Sequence, residues 1–174
     1  MLAFVFVLLA IAVRLDPHHM LAFTPVGAAL LYFGARGPRK LIWVPLTLLA
    51  ATDVYLTLFQ YHYAFTADTY ITWVWYAAIL GLGALLGRKP GALQIFGASL
   101  ATAVSFFAIS NFAVWMVWDM YPKTVAGLVE CYTVALPFFR RELISDMLFA
   151  ALFFGLPALA GVFAGRHAEQ KAAA

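Results

Sequence analysis

The polar side chains that could do chemistry concentrate in one stretch, Ser110–Asp146, which lies between two long apolar segments. This stretch contains four of the chain's eight acidic residues, the single cysteine and a pair of arginines: Asp119, Glu130, Glu142, Asp146, Cys131, Arg140 and Arg141. Charged groups beside apolar segments of lipid-spanning length are costly unless they line a cavity or face water. The stretch is therefore the first candidate for a functional site.

Neither catalysis nor metal binding is well supported by these residues. Glu130 and Asp146, with a histidine, could supply acid–base chemistry, but the sequence contains no nucleophile–base pair and no metal-ligand spacing. Cys131 is of a type usually buried as a small apolar residue, although a nearby cation could make it reactive. We predict no catalytic residue, no metal site and no cofactor, and we expect His18, His19 and His62 to be solvated loop residues.

The composition excludes a water-soluble domain. Of the 174 residues, 65% are hydrophobic and 11% are charged, and the mean hydropathy is +0.90, whereas soluble domains carry about 25% charged residues. The sequence therefore predicts one transmembrane helical-bundle domain over residues 1–174. No basic run with interleaved aromatic residues is present, which argues against nucleic acid as a partner.

Hydropathy and turn signals predict an all-α, polytopic membrane protein of about six transmembrane helices. The expected helices are about Leu2–Arg14, Met20–Ala35, Leu41–Phe59, Tyr70–Leu86, Ala92–Trp118 and Arg141–Gly165. Because Pro137 should break a helix, Thr124–Leu136 is predicted to be a short outer return helix before the last span. Thr24 is expected to cap the second helix, and Gly83 and Gly87 have the spacing that lets helices approach closely.

Loop charges predict the orientation in the membrane. Seven of the eleven basic residues lie in two turns and in the C-terminal segment: Arg36, Arg39, Lys40, Arg88, Lys89, Arg166 and Lys171. In a six-span arrangement these regions share one side, which the positive-inside rule makes cytoplasmic, with both termini there. The first apolar run has no basic residues before it, so we expect a retained helix and not a cleaved signal peptide.

One pair of arginines departs from this charge pattern. Arg140 and Arg141 fall on the outer side in the six-span arrangement. A seventh span over Thr124–Phe138 would place them inside, but it would move Arg166 and Lys171 outside. Six spans are therefore preferred.

In this topology the polar residues converge on the outer half of the bundle. Asp53 lies in the outer half of the third helix and Asp146 near the outer end of the last. We expect Arg140 or Arg141 to pair with Asp53, Glu130 or Asp146, and such a pair could equally serve only to hold the bundle together. An interfacial aromatic belt is predicted at Trp73, Trp75, Trp115 and Trp118.

Several segments carry a resemblance to known membrane proteins: FTPVGAALLYFGA from Phe23, the region of Asp53, SNFAVW from Ser110, MYPKT followed by AGL, and ALPFF from Ala135. Over about Phe23 to Gly155 the chain is similar to a family of small uncharacterised bacterial membrane proteins assigned to transport. The six short spans, the basic turn after the second helix and the ALPFFRRELISD segment also resemble the S components of energy-coupling-factor vitamin transporters, which are their substrate-binding subunits.

The resemblance implies a transport protein in the bacterial cytoplasmic (inner) membrane that captures a small, vitamin-like micronutrient from the outer side. It also implies an energising transmembrane and ATPase module as a partner. S components that share such a module often carry Ala-xxx-Ala on the first helix. Here Ala3, Ala10 and Ala12 lack that spacing, so action without the module stays open.

The solute site is expected between the fifth helix and the return segment. The predicted substrate-binding residues are Asn111, Trp115, Glu130, Tyr132, Arg140, Asp53, Asp146 and Arg141. The first five would contact the solute, and the last three would set the charge of the pocket. Two other functions stay open: an intramembrane enzyme that uses the acidic residues, and a structural subunit of a membrane complex.

Overall fold

The fold is all-helical, as seen in a computed structural model that describes residues 1–16 and 23–172, with side chains as far as Gly161. The described part of the chain contains six α-helices and no strand: α1 (Leu2–Leu15), α2 (Val26–Arg36), α3 (Trp43–Tyr55), α4 (Ala67–Leu86), α5 (Ala92–Val117) and α6 (Val125–Ala172). A 3-10 turn, Arg39–Leu41, precedes α3, and a π-helical turn, Leu56–Gln60, extends it. The predicted all-α class is confirmed.

Four segments are long and apolar enough to cross a membrane: Arg39–Gln60, Ala67–Leu86, Ala92–Val117 and Val125–Gly161. Leu2–Leu15 and Val26–Arg36 are shorter apolar helices. Large hydrophobic side chains such as Val74, Leu93 and Leu148 are exposed on the outside of the bundle. An exterior of this kind suits lipid and not water. The chain is therefore an all-α polytopic membrane protein.

Helix α2 lies at the centre of the bundle. Every residue of α2 except Arg36 is buried, and the helix packs against α1, α4, α5 and α6. Its 11 residues extend only about 17 Å, which is less than the hydrocarbon thickness of about 30 Å. Because protein surrounds it, the unpaired backbone groups at its ends meet protein or cavity and not lipid.

Helices α2 and α4 touch backbone to backbone. A Cβ atom on Gly34 would lie 3.0 Å from the Cα of Gly83, and a Cβ atom on Gly83 would lie 3.0 Å from the Cα of Leu31. Gly83 therefore makes the close approach predicted from its spacing. Gly87 does not take part, since open space surrounds it; instead it ends α4 with a φ of +73°, a value that glycine adopts readily.

The predicted return helix does not exist as a separate element. Helix α6 runs without interruption from Val125 through Pro137 and Pro157 to Ala172. Transmembrane helices tolerate proline where neighbouring elements support the helix, and α5 supports α6 on both sides of Pro137. Tyr132 donates a hydrogen bond of 2.5 Å to the carbonyl oxygen of Ala108, and the rings of Phe107 and Phe139 are 4.6 Å apart.

The start of α2 also differs from the prediction. The helix begins at Val26 and not near Met20, with Pro25 at the N-cap position and no side-chain cap. Thr24 contributes its backbone instead, because its carbonyl oxygen accepts a 2.9 Å hydrogen bond from the Ser145 hydroxyl. His18 and His19 lie outside the described residues.

Candidate functional site

A cavity of about 340 Å³ lies at the end of the bundle where α2 begins. Each of the six helices contributes to its lining, which consists of Arg14, Thr24, Val26, Gly27, Asp53, Thr57, Asp68, Thr69, Thr72, Trp75, Tyr76, Phe106, Glu142 and Asp146. The volume falls within the range of small-molecule sites, about 300–1,000 Å³. The cavity is therefore the candidate site.

A hydrogen-bonded cluster around Asp53 forms one wall. Asp53, which is 7% exposed, accepts a 2.5 Å charged hydrogen bond from Arg14 at the end of α1. The Trp73 indole N–H donates to the same carboxylate at 3.0 Å, and the Tyr76 hydroxyl lies 3.4 Å away. Arg14 also donates to Tyr76 at 3.0 Å. Because the Asp53 carboxylate is fully engaged, this cluster ties α1, α3 and α4 together.

The carboxyl group of Asp146 lines another part of the cavity, at the N-terminus of α2. Asp146 is 3% exposed, and the backbone N–H of Ala28 is within hydrogen-bonding reach of it. A helix N-terminus carries partial positive charge and free N–H groups, which favour a carboxylate. The Oδ2 atom of Asp146 is buried and has no hydrogen-bond partner within the described part of the chain. One oxygen of this buried carboxyl group therefore lacks a hydrogen-bond partner among the described residues.

Gly27 makes room for that carboxyl group. A Cβ atom at Gly27 would lie 2.6 Å from Oδ1 of Asp146 and 2.6 Å from the Thr102 methyl group. These separations are shorter than real Cβ contacts allow. Ser145, anchored to Thr24, holds the adjacent turn of α6 in place. The position of Asp146 in the cavity thus depends on the absence of a side chain at Gly27.

Glu142 lines the cavity one helical turn before Asp146, and residues four apart lie on the same helix face. Neither acid forms an ion pair within residues 1–16 and 23–161, where side chains are described. Asp68 also lines the cavity, where it accepts hydrogen bonds from Thr66 and, at 3.3 Å, from Trp118. Among the described residues the lining therefore contains four carboxyl groups but one guanidinium, and Asp53 already holds that guanidinium.

Aromatic rings form the apolar part of the lining. Trp75, which is 5% exposed, lies 4.7 Å from the Phe106 ring and 5.9 Å from the Tyr76 ring. Its indole N–H donates to the Ser105 hydroxyl at 3.0 Å, which fixes the ring orientation. A site with aromatic walls and a few fixed polar groups is the usual arrangement for a small molecule.

Of the eight predicted substrate-binding residues, Asp53 and Asp146 line the cavity and the other six do not. Asn111 donates to the carbonyl oxygen of Phe107 at 2.8 Å, within its own helix. Trp115 donates to the carbonyl oxygen of Pro122 at 2.9 Å, and Tyr132 is bonded to Ala108. These three side chains therefore stabilise helix α5, the turn after it and the contact between α5 and α6.

The predicted location between α5 and the first part of α6 contains only an apolar groove. Its lining is Phe107, Leu128, Val129, Tyr132, Thr133 and Leu136, without a charged residue among those described. Glu130, Arg140 and Arg141 are exposed. Cys131 is buried and directs its thiol at the carbonyl oxygen of Asn111, 3.5 Å away, as expected of a small core residue.

The predicted arginine pairing is wrong. Neither Arg140 nor Arg141 forms an ion pair with any residue that the structure describes, and the partner of Asp53 is Arg14. The reason is that α6 continues through Pro137, so helical periodicity determines on which side of α6 residues 140 and 141 lie. That periodicity turns Asp146 inward and leaves both arginines exposed.

Sequence reasoning missed several lining residues, notably Arg14, Asp68, Glu142, Trp75 and Tyr76. Two signals were present: a lone arginine ending an apolar helix needs an intramembrane partner, and Glu142 and Asp146 have the i, i+4 spacing of one face. The predicted aromatic belt is also wrong in part, because Trp75 is buried in the cavity wall. No group of three or more potential metal ligands occurs in the part of the chain described.

Fold and site together define an all-α membrane protein with an acidic, aromatic cavity at one end of its bundle. The chain belongs to DUF6580, a family of unknown function whose model matches residues 1–170. No curated protein and no solved structure matches the chain.

Proposed function

We propose that this protein is a solute-binding transport protein of the membrane and that the acidic cavity is its solute site. The observation that carries the proposal is the Asp146 carboxyl group, buried in the cavity wall with an Oδ2 atom that has no hydrogen-bond partner among the described residues. A buried polar group in this state is costly. A ligand that donates to Oδ2 would remove that cost, which gives the cavity affinity for such a ligand.

The lining favours a small solute with a cationic nitrogen and an aromatic or apolar part. Glu142 and Asp146 supply carboxyl groups on one face of α6, and Arg14 does not neutralise them because it is bound to Asp53. Trp75 and Phe106 supply ring surfaces that attract both flat apolar groups and cations. A vitamin-like micronutrient with a protonated amine or a cationic ring has this chemistry.

The distribution of basic residues supports uptake from the outer side. Arg36 ends α2 at the opposite end from the cavity, and the turns that contain Arg39, Lys40, Arg88 and Lys89 follow α2 and α4 at that same end. Under the positive-inside rule this end is cytoplasmic. The cavity would then open outward, in the inner membrane of a bacterium, with both chain termini cytoplasmic.

Release of the solute requires α6 to move relative to α2. Asp146 lies on α6, whereas the backbone N–H that it faces and the glycine that makes room for it lie on α2. A shift of α6 along α2 would therefore alter the carboxyl group that holds the solute. We propose that an energising transmembrane and ATPase module, the partner that the sequence resemblance implies, drives this shift.

Replacement of the Asp146 carboxyl group tests the site. The small molecules that co-purify with the protein would be identified by mass spectrometry, and the affinity of each would be measured by titration. We expect a cationic molecule to be retained by the wild type and its affinity to fall about tenfold or more in Asp146→Asn, since a hydrogen bond to a charged group contributes about 1.5–3 kcal/mol.

The matched control is Asp119→Asn, because the Asp119 side chain is fully exposed in the turn before α6. This variant should retain the ligand at wild-type affinity. Equal retention by Asp146→Asn and the wild type, or a co-purified ligand that is anionic, would exclude the acidic cavity as the solute site.

A second candidate function rests on the same two acids. Glu142 and Asp146 lie one turn apart in one cavity, an arrangement that could also perform acid–base catalysis on a bound molecule. An intramembrane enzyme would convert the co-purified molecule over time, whereas a transport protein would release it unchanged. Chromatography of the ligand after incubation with the purified protein distinguishes the two.

A further inference from the structure

A second cavity, of about 440 Å³, lies at the other end of the bundle, between the first half of α5 and the second half of α6. Its walls are mostly apolar, with Ile95 and Phe96 on α5 and Met147, Ala150 and Phe154 on α6. Phe96 and Ala151, which also lines the cavity, are exposed. The cavity therefore lies between two helices of membrane-spanning length, on the side of the bundle that faces lipid.

Two polar groups in this cavity lack partners. Ser99 is 1% exposed, and its hydroxyl is one of the buried atoms without a hydrogen bond to any described residue. The Nε atom of Arg36, at the end of α2, is a second such atom within the described chain. Both residues line the same cavity. Since a guanidinium can only donate hydrogen bonds, the missing partner is an acceptor.

The position of the Arg36 guanidinium suits an anionic acceptor. Its central carbon lies 5.6 Å from the Tyr32 ring centre and 5.8 Å from the Phe154 ring centre, so two aromatic rings hold it in place. None of the described residues that line this cavity is acidic. Pro90, on the rim, directly follows the exposed Arg88 and Lys89. The charge of this region is therefore positive.

We propose that this cavity binds an anionic phospholipid, with its phosphate on Arg36 and Ser99 and an acyl chain along the apolar walls between α5 and α6. Basic pockets between transmembrane helices bind anionic headgroups in this way. A free phosphate ion would leave the apolar walls unfilled, which is why a lipid is the favoured source of the phosphate group. None of these residues lines the acidic cavity, so the lipid site does not depend on the proposed solute site.

The test is a measurement of lipid affinity on the purified, delipidated protein. Native mass spectrometry in detergent would compare phosphatidylglycerol with phosphatidylcholine of the same acyl chains, and a separate titration would use inorganic phosphate. We expect phosphatidylglycerol to bind about tenfold more tightly than phosphatidylcholine. Only the anionic lipid has a net negative charge, which Arg36 and the basic turn attract. Inorganic phosphate should bind far more weakly than the lipid.

Three variants separate the site from a general attraction to basic residues. Arg36→Gln should lose about tenfold in phosphatidylglycerol affinity, whereas Arg88→Gln, in the exposed turn, should lose much less. Ala151→Trp would fill the space for the acyl chain while leaving Arg36 in place. Because Ala151 is exposed, this variant should fold even if Arg36→Gln does not, and it should also lose the lipid.

Three results would overturn the lipid site. The first is equal affinity for phosphatidylglycerol and phosphatidylcholine. The second is inorganic phosphate binding as tightly as the lipid, which would indicate an anion site without an acyl chain. The third is wild-type lipid affinity in Ala151→Trp.

Discussion

At the scale of single residues, the ion pair between Arg14 and Asp53 differs from the other charged contact that the structure describes. It is largely buried, it joins helices α1 and α3, and Trp73 and Tyr76 complete the hydrogen bonds of its carboxylate. The pair between Lys123 and Asp119 is 3.9 Å long and exposed to solvent. Breaking a buried pair leaves an uncompensated charge, whereas breaking an exposed pair has little effect.

Asp53→Asn should therefore lower the free energy of unfolding by about 3–5 kcal/mol, because Arg14 would be left buried without its counter-charge. Asp119→Asn, the same substitution in the exposed pair, should change it far less, because solvent screens that pair. Unfolding of the purified variants in detergent, followed by circular dichroism, measures both. The double variant Arg14→Leu with Asp53→Leu should recover much of the loss. Similar losses for the two single Asp→Asn variants would contradict a stabilising buried pair.

How far the sequence predicts the site also depends on single residues. Asp53 and Asp146 could be selected because each is an acid within an apolar run, and both line the cavity. Arg140 and Arg141 could not be excluded in the same way, because the face that a side chain occupies depends on whether the helix is continuous. Arg14 was visible as a charge, but its partner lies 39 positions along the chain, and sequence spacing does not predict such a contact.

At the scale of elements, the contact between α2 and α4 depends on small residues. Gly83 faces the backbone of Leu31 on α2, whereas Gly81, two residues earlier on the same helix, has open space around it. The two positions therefore differ in packing and share the same helical backbone. They therefore form a matched pair for measuring what the close approach of α2 and α4 contributes to stability.

We expect Gly83→Ala to destabilise the protein, because its Cβ atom would meet the Leu31 backbone and force α2 and α4 apart. Typical costs of such overpacking are about 1–3 kcal/mol. Gly81→Ala should be neutral or stabilising by up to about 1 kcal/mol, because alanine is the better helix former. Thermal unfolding in one detergent compares the two. Equal stability of both variants would show that α2 and α4 can separate without cost.

Helix positions were largely predictable from the sequence, and the failures have local causes. The glycine and proline of the turn after α4, Gly87 and Pro90, mark where α4 ends and α5 begins, and α5 itself was predicted to within one residue. The predicted break at Pro137 was wrong because the rule that proline breaks a helix applies to a helix without support from its neighbours. Here contacts with Phe107 and Ala108 on α5 support α6 on both sides of it.

At the scale of the whole molecule, polarity is divided between the two ends of the bundle. The cavity with its four carboxyl groups lies at the end where α2 begins, and the basic turns after α2 and α4 lie at the other. This separation predicts the direction of the molecule in the membrane. Tyr63, before α4, and Lys40, after α2, mark the two ends, and both are exposed.

Cysteine labelling in intact cells measures that direction. In a Cys131→Ser background, Tyr63→Cys should react with a membrane-impermeant maleimide added from outside, and Lys40→Cys should not. After the cells are permeabilised, Lys40→Cys should react as well, which shows that the site is accessible. If Lys40→Cys reacts in intact cells and Tyr63→Cys does not, the orientation is the reverse of the predicted one and the acidic cavity lies on the cytoplasmic side.

The enclosed position of α2 has a consequence for how the protein is made. When α2 leaves the ribosome, α1 is its only synthesised neighbour, because α4, α5 and α6 follow later in the chain. Eleven residues are too few to hold a helix across a bilayer alone, since a span needs about 20. Helix α2 therefore has its full set of neighbours only after α6 has been inserted. A chain truncated before α6 lacks the carboxyl group that lies at the α2 N-terminus, and we expect such a chain to be degraded faster than the full-length protein.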